Sequence, residues 1–287
     1  MATALITGGT SGIGAAFAEA LAARGVDLVL VARDEGRLTD SATRLASTHG
    51  ITVDTLRADL AVRADVERVA ARLEDTTRPV ELLVNNAGSG VRTPLVSRDV
   101  ASHDLGFDVM CRAVLVLGGA AGRAMSARGS GAIINVSSLQ SLFTTGSYAA
   151  MKAWVTSYSQ GLSVELHGTG VTVTAVLPGW VRTDWHARDG ERRSSVPGWL
   201  WTEPADVALA ALRDSARGRV VSVPSRRYRV IGWLARHLPR ATVRQISGRI
   251  SSSRRDSPPD TSPPTASPPT ASPGTDAPTR TVRTEDS

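Results

Sequence analysis

Lysine is almost missing from this chain: of 33 lysines and arginines in 287 residues, only Lys152 is a lysine. A general bias towards arginine accounts for the other positions, but at 152 the compact ammonium itself is retained, and an ammonium and a planar guanidinium are not interchangeable. Cysteine is equally scarce, with Cys111 alone, which excludes an intrachain disulfide and a thiolate metal cluster. Redox chemistry must then come from a bound organic cofactor, and no metal is expected. No uninterrupted apolar run reaches ~18 residues. The chain runs from Met1-Ala2-Thr3 straight into a glycine-rich turn, without a basic-then-apolar leader, so a cytoplasmic location is expected. Acidic residues are absent from 219–255, where ten arginines fall, so much of the net charge of +6 is local. No nucleic-acid reading module accompanies that charge, and a nucleic-acid partner is not expected.

What is present is alternation. Apolar strand-like runs at about 2–7, 26–32, 51–58, 80–85, 131–137, 170–177 and 219–223 are separated by helical patterns at 12–24, 35–48, 62–76, 99–127, 147–167 and 204–216. This predicts an α/β fold: a doubly wound, mostly parallel, Rossmann-like sheet of about seven strands with helices on both faces. Ser147 before Tyr148, and Pro204 after Thr202-Glu203, read as helix starts. The expected organisation is one domain over 1–225, a basic amphipathic element over 226–250, and a disordered Pro/Ser/Thr-rich tail over 251–287. In that tail eight of the fifteen prolines follow Ser257, in a composition that cannot bury enough apolar surface to offset its ordering entropy.

Two local patterns carry chemistry. The turn Thr7-Gly8-Gly9-Thr10-Ser11-Gly12-Ile13-Gly14 joins the first strand to the first helix, where glycines let a backbone approach a pyrophosphate and the helix N-terminus offers amide donors. The second strand ends Ala32-Arg33-Asp34; an arginine where an acid would bind a free ribose suits a 2′-phosphate, so NADP is expected over NAD. Tyr148 and Lys152, four residues apart, share a helix face. Lowering a phenol by about three pKa units needs ~4 kcal/mol, close to the interaction of unit charges ~4 Å apart at an effective dielectric of ~20. Lys152 is therefore expected to depress Tyr148.

Together these residues resemble the short-chain dehydrogenase/reductase family over roughly 2–223. The matching motifs are Thr-Gly-x-x-x-Gly-x-Gly at 7–14, Asp59-Leu60, Asn85-Asn86-Ala87-Gly88, Ser138, Tyr148-x-x-x-Lys152 and Pro178-Gly179-x-Val181-x-Thr183. The resemblance implies a cofactor site from Gly8, Thr10, Ser11, Gly12, Ile13, Gly14, Arg33, Asp59, Leu60, Asn86, Ala87, Gly88, Pro178, Gly179, Val181 and Thr183. It implies catalysis by Ser138, Tyr148 and Lys152, the tyrosine exchanging a proton with the substrate oxygen and Lys152 also holding the nicotinamide ribose. A homo-oligomer is implied as well. Two departures stand out: Met110 takes the place where the family usually has a catalytic asparagine, and Ser138 precedes Tyr148 by fewer residues than is usual, leaving Ser137 or Ser141 as alternative hydroxyls. They leave open a second reading, a dinucleotide-binding sensor or scaffold with weakened catalysis.

The substrate side is rich in tryptophan. Trp180, Trp185, Trp199 and Trp201 follow the sixth strand, pointing to an apolar carbonyl/alcohol pair, or to packing of a flap on the core. Arg188, Arg192 and Arg193 in the same stretch could meet an acidic head group or stay solvated. In 226–250, Val230, Ile231, Leu234 and Leu238 fall near helical spacing, with Pro239 dividing the element. It could lie peripherally on an anionic membrane with Trp233 at the interface, or pack back on the domain.

Overall fold

The computed structural model describes residues 2–91, 93–183 and 197–255. Seven parallel strands form one sheet: β1 (Thr3–Thr7), β2 (Asp27–Ala32), β3 (Val53–Arg57), β4 (Leu82–Asn85), β5 (Gly131–Val136), β6 (Val171–Val176) and β7 (Val221–Ser222), in the order β3-β2-β1-β4-β5-β6-β7. The order reverses between β1 and β4, whose register pairs Ala4 with Leu82 and Ile6 with Val84. Ligands of such sheets bind at that reversal, beyond the strands' carboxyl ends.

Both faces of the sheet are covered, which is why strands such as β2 read as apolar runs, whereas the edge strand β3 is more polar and exposed. Alternation along β1 sends Ala4 and Ile6 into one layer and Leu5 into the other. The first layer holds Phe17 and Leu21 of α1 (Gly12–Ala22), Leu38 and Leu45 of α2 (Glu35–His49), and Val207 and Ala211 of the helix Pro204–Ala216, called α7 below. The second holds Val66 and Leu73 of α3 (Arg63–Glu74), Leu117 and Met125 of α5 (Ala113–Arg128), and Leu162 of α6 (Ser147–Glu165). Pro204 sits in the first turn of α7 behind Glu203, as the sequence predicts.

Three sequence expectations change in detail. The helix expected over 99–127 is α4 (Ala101–Phe107), a π-helical segment (Asp108–Arg112) and α5, one continuous 28-residue helix. By length and composition that helix could cross a membrane, yet 56% of its most apolar window is buried inside the protein, the mark of a core helix. Ser147 does not cap α6. Gly146 holds the cap position, and the Ser147 hydroxyl bonds His103 Nδ1 at 2.8 Å. Downstream of β7, α8 (Arg226–His237) and α9 (Arg240–Arg255) flank Pro239, and α9 continues through 251–255, where a tail was expected. Serines and arginines prolong a helix that no proline stops before Pro258. Trp185, the arginines at 188, 192 and 193, and the rest of the proline-rich tail lie outside the described residues.

Gly129 and Gly170 both have positive φ, 73° and 79°. A Cβ on Gly129 would meet open space, whereas one on Gly170 would lie within van der Waals overlap of the Gly129 carbonyl oxygen. Gly129→Ala should therefore cost about 1 kcal/mol and Gly170→Ala ~3 kcal/mol or more. Thermal unfolding of the two variants checks the order, at about 2–4 °C per kcal/mol.

Candidate active site

The loops after β1 and β4 are laced together at the switch point. Thr7 Oγ1 accepts hydrogen bonds from the amides of Asn86 (2.9 Å) and Ala87 (3.1 Å) and donates to the Val84 carbonyl (3.4 Å). Asn86 Nδ2 returns donors to the carbonyls of Thr7 (3.0 Å) and Gly8 (3.3 Å). Gly8 turns with φ 65°, and a Cβ there would press on Asn86 Nδ2 at 3.0 Å. Gly12, with φ 54°, leaves a cradle that a Cβ would fill against Thr183 Cγ2, 3.1 Å away. Ser11 is the α1 N-cap but its side chain caps no amide. The first-turn amides of α1, around Ile13 and Gly14, have no acceptor within the helix and suit a pyrophosphate.

Beyond the ends of β2 and β3, Arg33, Arg57, Asp59, Asp65 and Arg68 line a cavity of about 270 Å³. Asp34, adjacent to Arg33, is committed elsewhere: its carboxylate caps α2 by accepting from the Arg37 amide at 3.0 Å. Arg37 Nη2 reaches the Thr10 carbonyl at 3.4 Å, so a second cation joins Arg33 beside the glycine turn. Arg37 was not singled out in the sequence, and no local spacing marks it, because Arg33 precedes the extended N-cap Asp34 and is not on the helix. Asp59 accepts from the Ala61 amide at 3.0 Å and Leu60 is buried, so both build the turn that walls the cavity.

Past β5, Ser138 begins a 3₁₀ turn (Leu139–Leu142), its hydroxyl accepting from the Gln140 amide at 3.2 Å and near enough to the Tyr148 phenol to draw its pKa down. Lys152 is only 5% exposed. Its Nζ donates to the Val136 carbonyl at 2.8 Å and lies 5.7 Å from the centre of the Tyr148 ring. Ser137 is the structural partner rather than a working hydroxyl: its Oγ donates to the Lys152 carbonyl at 2.7 Å and bonds Thr156 Oγ1 at 2.7 Å. Ser141 Oγ is buried without a partner. Gly88 faces this group; a Cβ there would stand 3.6 Å from Lys152 Nζ and 3.2 Å from Met110 Sδ.

The expected depression of Tyr148 is corrected by the structure. Burial pushes the phenol up to about 12, and the Ser138 hydroxyl draws it only partway back. The same dry surroundings hold Lys152 down to about 8. The ammonium is turned to the Val136 carbonyl and meets the ring rather than the hydroxyl, so loss of hydration outweighs its Coulomb effect. Met110, in the π-helical segment, is 1% exposed and packs with Cys111 and Met151, presenting a thioether where an amide was expected.

A buried relay missed in the sequence supports the site. Asn85 Nδ2 donates to Asn135 Oδ1 at 2.9 Å, Asn135 Nδ2 to Ser159 Oγ at 2.9 Å, and Ser159 Oγ to the Val155 carbonyl at 2.7 Å. It ties β4, β5 and α6 together, and nothing in the spacing of these residues announced it.

Beyond β6, Trp180 and Trp201 rings lie 5.9 Å apart, and the stretches that carry them are joined by Thr202 N to Trp180 O (2.9 Å) and Arg182 N to Thr202 O (3.0 Å). The Tyr228 hydroxyl accepts from the Trp180 amide at 3.1 Å and donates to the Leu200 carbonyl at 2.5 Å, while its ring rests on Gly179. Pro178, Gly179, Val181 and Thr183 thus run from β6 back over the glycine turn.

A parallel sheet with a glycine cradle at its switch point, and a Ser-Tyr-Lys group at the same edge, defines a class: nicotinamide-dinucleotide-dependent oxidoreductases on a Rossmann fold. The chain belongs to the short chain dehydrogenase family, whose profile matches residues 2–194, and is an NAD(P)-dependent dehydrogenase/reductase. It is 34% identical over 263 residues to the very-long-chain 3-oxoacyl-CoA reductase of Anas platyrhynchos, covering 85% of this chain and 78% of that one. Among solved structures it resembles a short-chain dehydrogenase from Sphingobium yanoikuyae in complex with NADPH (TM-score 0.74, 33% identity, 92% of this chain and 99% of that one). It also resembles the bulky-bulky ketone specific alcohol dehydrogenase from Comamonas testosteroni (TM-score 0.70, 32% identity, 84% and 96%).

Asn135→Ala would leave the buried Asn85 Nδ2 without its acceptor and Ser159 Oγ without its donor, Ser159 keeping only the Val155 carbonyl. It should lower stability by about 2–4 kcal/mol, measured by denaturant unfolding; a loss within ~0.5 kcal/mol would show that the relay contributes little.

Proposed function

We propose that this protein uses NADPH to reduce a bulky apolar ketone or 3-oxoacyl carbonyl, with Tyr148 as the proton donor. The observation that carries the reading is the placement of buried Lys152 at one edge with Tyr148, its Nζ 5.7 Å from the centre of that ring and 3.6 Å from where a Cβ on Gly88 would stand. NADPH, when bound, supplies the hydride. The amides around Thr10 to Gly14 hold its pyrophosphate, Asp59 and Leu60 border its adenine, and Asn86 to Gly88 with Pro178 to Thr183 form the walls of the cleft. Arg33 and Arg37 favour a 2′-phosphate, and the capping duty of Asp34 takes away the competing ribose acid.

Ser138 orients the substrate oxygen and Tyr148 gives it a proton. A phenol near 12 is fully protonated at neutral pH, which suits donation and hence reduction. Lys152 contributes its charge to the nicotinamide end, and Trp180 and Trp201 supply apolar surface for the substrate. The named substrates of the two relatives above, a very-long-chain 3-oxoacyl-CoA and bulky ketones, point the same way. We also place the protein in the cytoplasm as a homo-oligomer, with exposed Leu105, Phe107 and Leu115 on the 28-residue helix as the contact.

NADPH oxidation over a panel of bulky ketones and 3-oxoacyl thioesters tests the reading. Turnover should fall ~10²–10⁴-fold in Tyr148→Phe. Dinucleotide binding without turnover in either protein would overturn it in favour of a sensor or scaffold. The double change Arg33→Ala/Arg37→Ala should weaken NADPH binding by about tenfold or more while leaving NADH within about twofold; equal effects on both would remove the 2′-phosphate assignment. Because Lys152 is held near 8, its ammonium persists below that pH and is lost above it. Reduction should stay level up to about pH 8 and then fall about tenfold per pH unit, read as kcat/KM against pH.

A further inference from the structure

The C-terminal helix pair has an inner face that the domain uses and an outer face that it does not. On α8, Tyr228, Gly232 and Ala235 are buried at i, i+4 and i+7. They pack over the site: Gly232 stands against Leu139 and Leu142 of the turn after Ser138, and Tyr228 grips Trp180 and Leu200. On α9, the Ser247 hydroxyl accepts from the Thr144 amide at 3.0 Å, in the loop between Ser138 and Tyr148. The element does pack on the domain, but through Tyr228, Gly232 and Ala235, while Val230 and Leu234, two of the apolar residues that the sequence put forward, stay exposed.

The outer side of α8 carries Arg226, Val230, Trp233, Leu234 and His237, at i, i+4, i+7, i+8 and i+11. Val230 and Trp233 are each 59% exposed and Leu234 43%. Trp233 stacks on His237, with ring centres 4.5 Å apart. Arg227 lies on one flank of this stripe, Arg229 and Arg236 on the other, and exposed Arg240 and Arg244 follow on α9. No Asp or Glu occurs between Arg219 and Arg255. A solvated helix has no use for an apolar ridge on its outermost line, and a second copy of so cationic a face would repel it.

We propose that this face docks on an anionic phospholipid bilayer, the ridge entering the headgroup boundary and the arginines meeting lipid phosphates. Docking sets the turn after Ser138 and the Trp180-Trp201 pair close to the lipid surface. Taken with the apolar-carbonyl reading, on which this consequence alone rests, it means that substrate is drawn from the membrane.

The test is flotation of the full chain with vesicles of phosphatidylcholine alone or with about a third phosphatidylglycerol. Anionic vesicles should bind the protein at least about tenfold more tightly, and high salt should release it. Val230→Glu/Trp233→Glu and, separately, Arg229→Glu/Arg236→Glu should each abolish flotation while NADPH binding is kept. Equal flotation with both vesicles, or with the variants, would overturn the proposal. Flotation gained only on removal of 256–287 would also overturn it and give the face to the chain's own tail. Self-association lost in the variants, without flotation, would assign it to a second copy. Flotation without turnover would sink the reductase reading and leave the docking surface standing; turnover without flotation would do the reverse.

Discussion

One buried ammonium sets the terms for the rest of the site. Lys152 can sit in a dry interior only because the Val136 carbonyl accepts from it, and that contact fixes α6 against the end of β5. Ser137 doubles the tie by donating to the Lys152 carbonyl and bonding Thr156, and the Asn85-Asn135-Ser159 relay repeats it one layer deeper. With the helix held this way, Tyr148 stays near the turn that Ser138 begins, whose hydroxyl draws the phenol's pKa partway down. An arginine at 152 would bring a wider, planar group with more donors to satisfy than this pocket provides, which accounts for the one lysine in an arginine-rich chain.

The same burial shows how an argument from charge alone goes astray. An ammonium one helical turn from a phenol looks large enough to depress it, yet loss of hydration raises the phenol while the ammonium is engaged with the Val136 carbonyl. The phenol is held high and the ammonium low. The phenol therefore rests protonated at neutral pH, as a consequence of hydration rather than of charge.

Around this centre the chain's later elements act as a roof. Tyr228 reaches from α8 to bond Trp180 and Leu200, gathering the stretches that carry Trp180 and Trp201, and Ser247 of α9 steadies the loop that leads to Tyr148. Residues downstream of the last strand thus belong to the shape of the site. The shortened path from Ser138 to Tyr148 is closed over by these helices, and Met110 fills the space opposite Gly88 with a side chain that makes no strong hydrogen bond.

Much of this was legible in one dimension because parallel strands buried on both sides leave continuous apolar runs, and because the turns between strand and helix need glycine where φ is positive, as at Gly8 and Gly12. The glycine turn and the Tyr148-Lys152 pair announce themselves through local spacing, which is what a tight turn or a helix obeys, whereas Asn86 to Gly88 entered only through the family resemblance. Contacts between distant segments leave no such mark. The sequence by itself determined the order of elements, the reversal of the sheet and the residue types brought to its carboxyl edge. Only tertiary structure decided that Asp34 caps a helix, that Asn135 links two neighbours, that α8 keeps Tyr228 inside and Trp233 outside, and that Tyr148 titrates high, because hydrogen-bond partners and loss of water are properties of the packed chain.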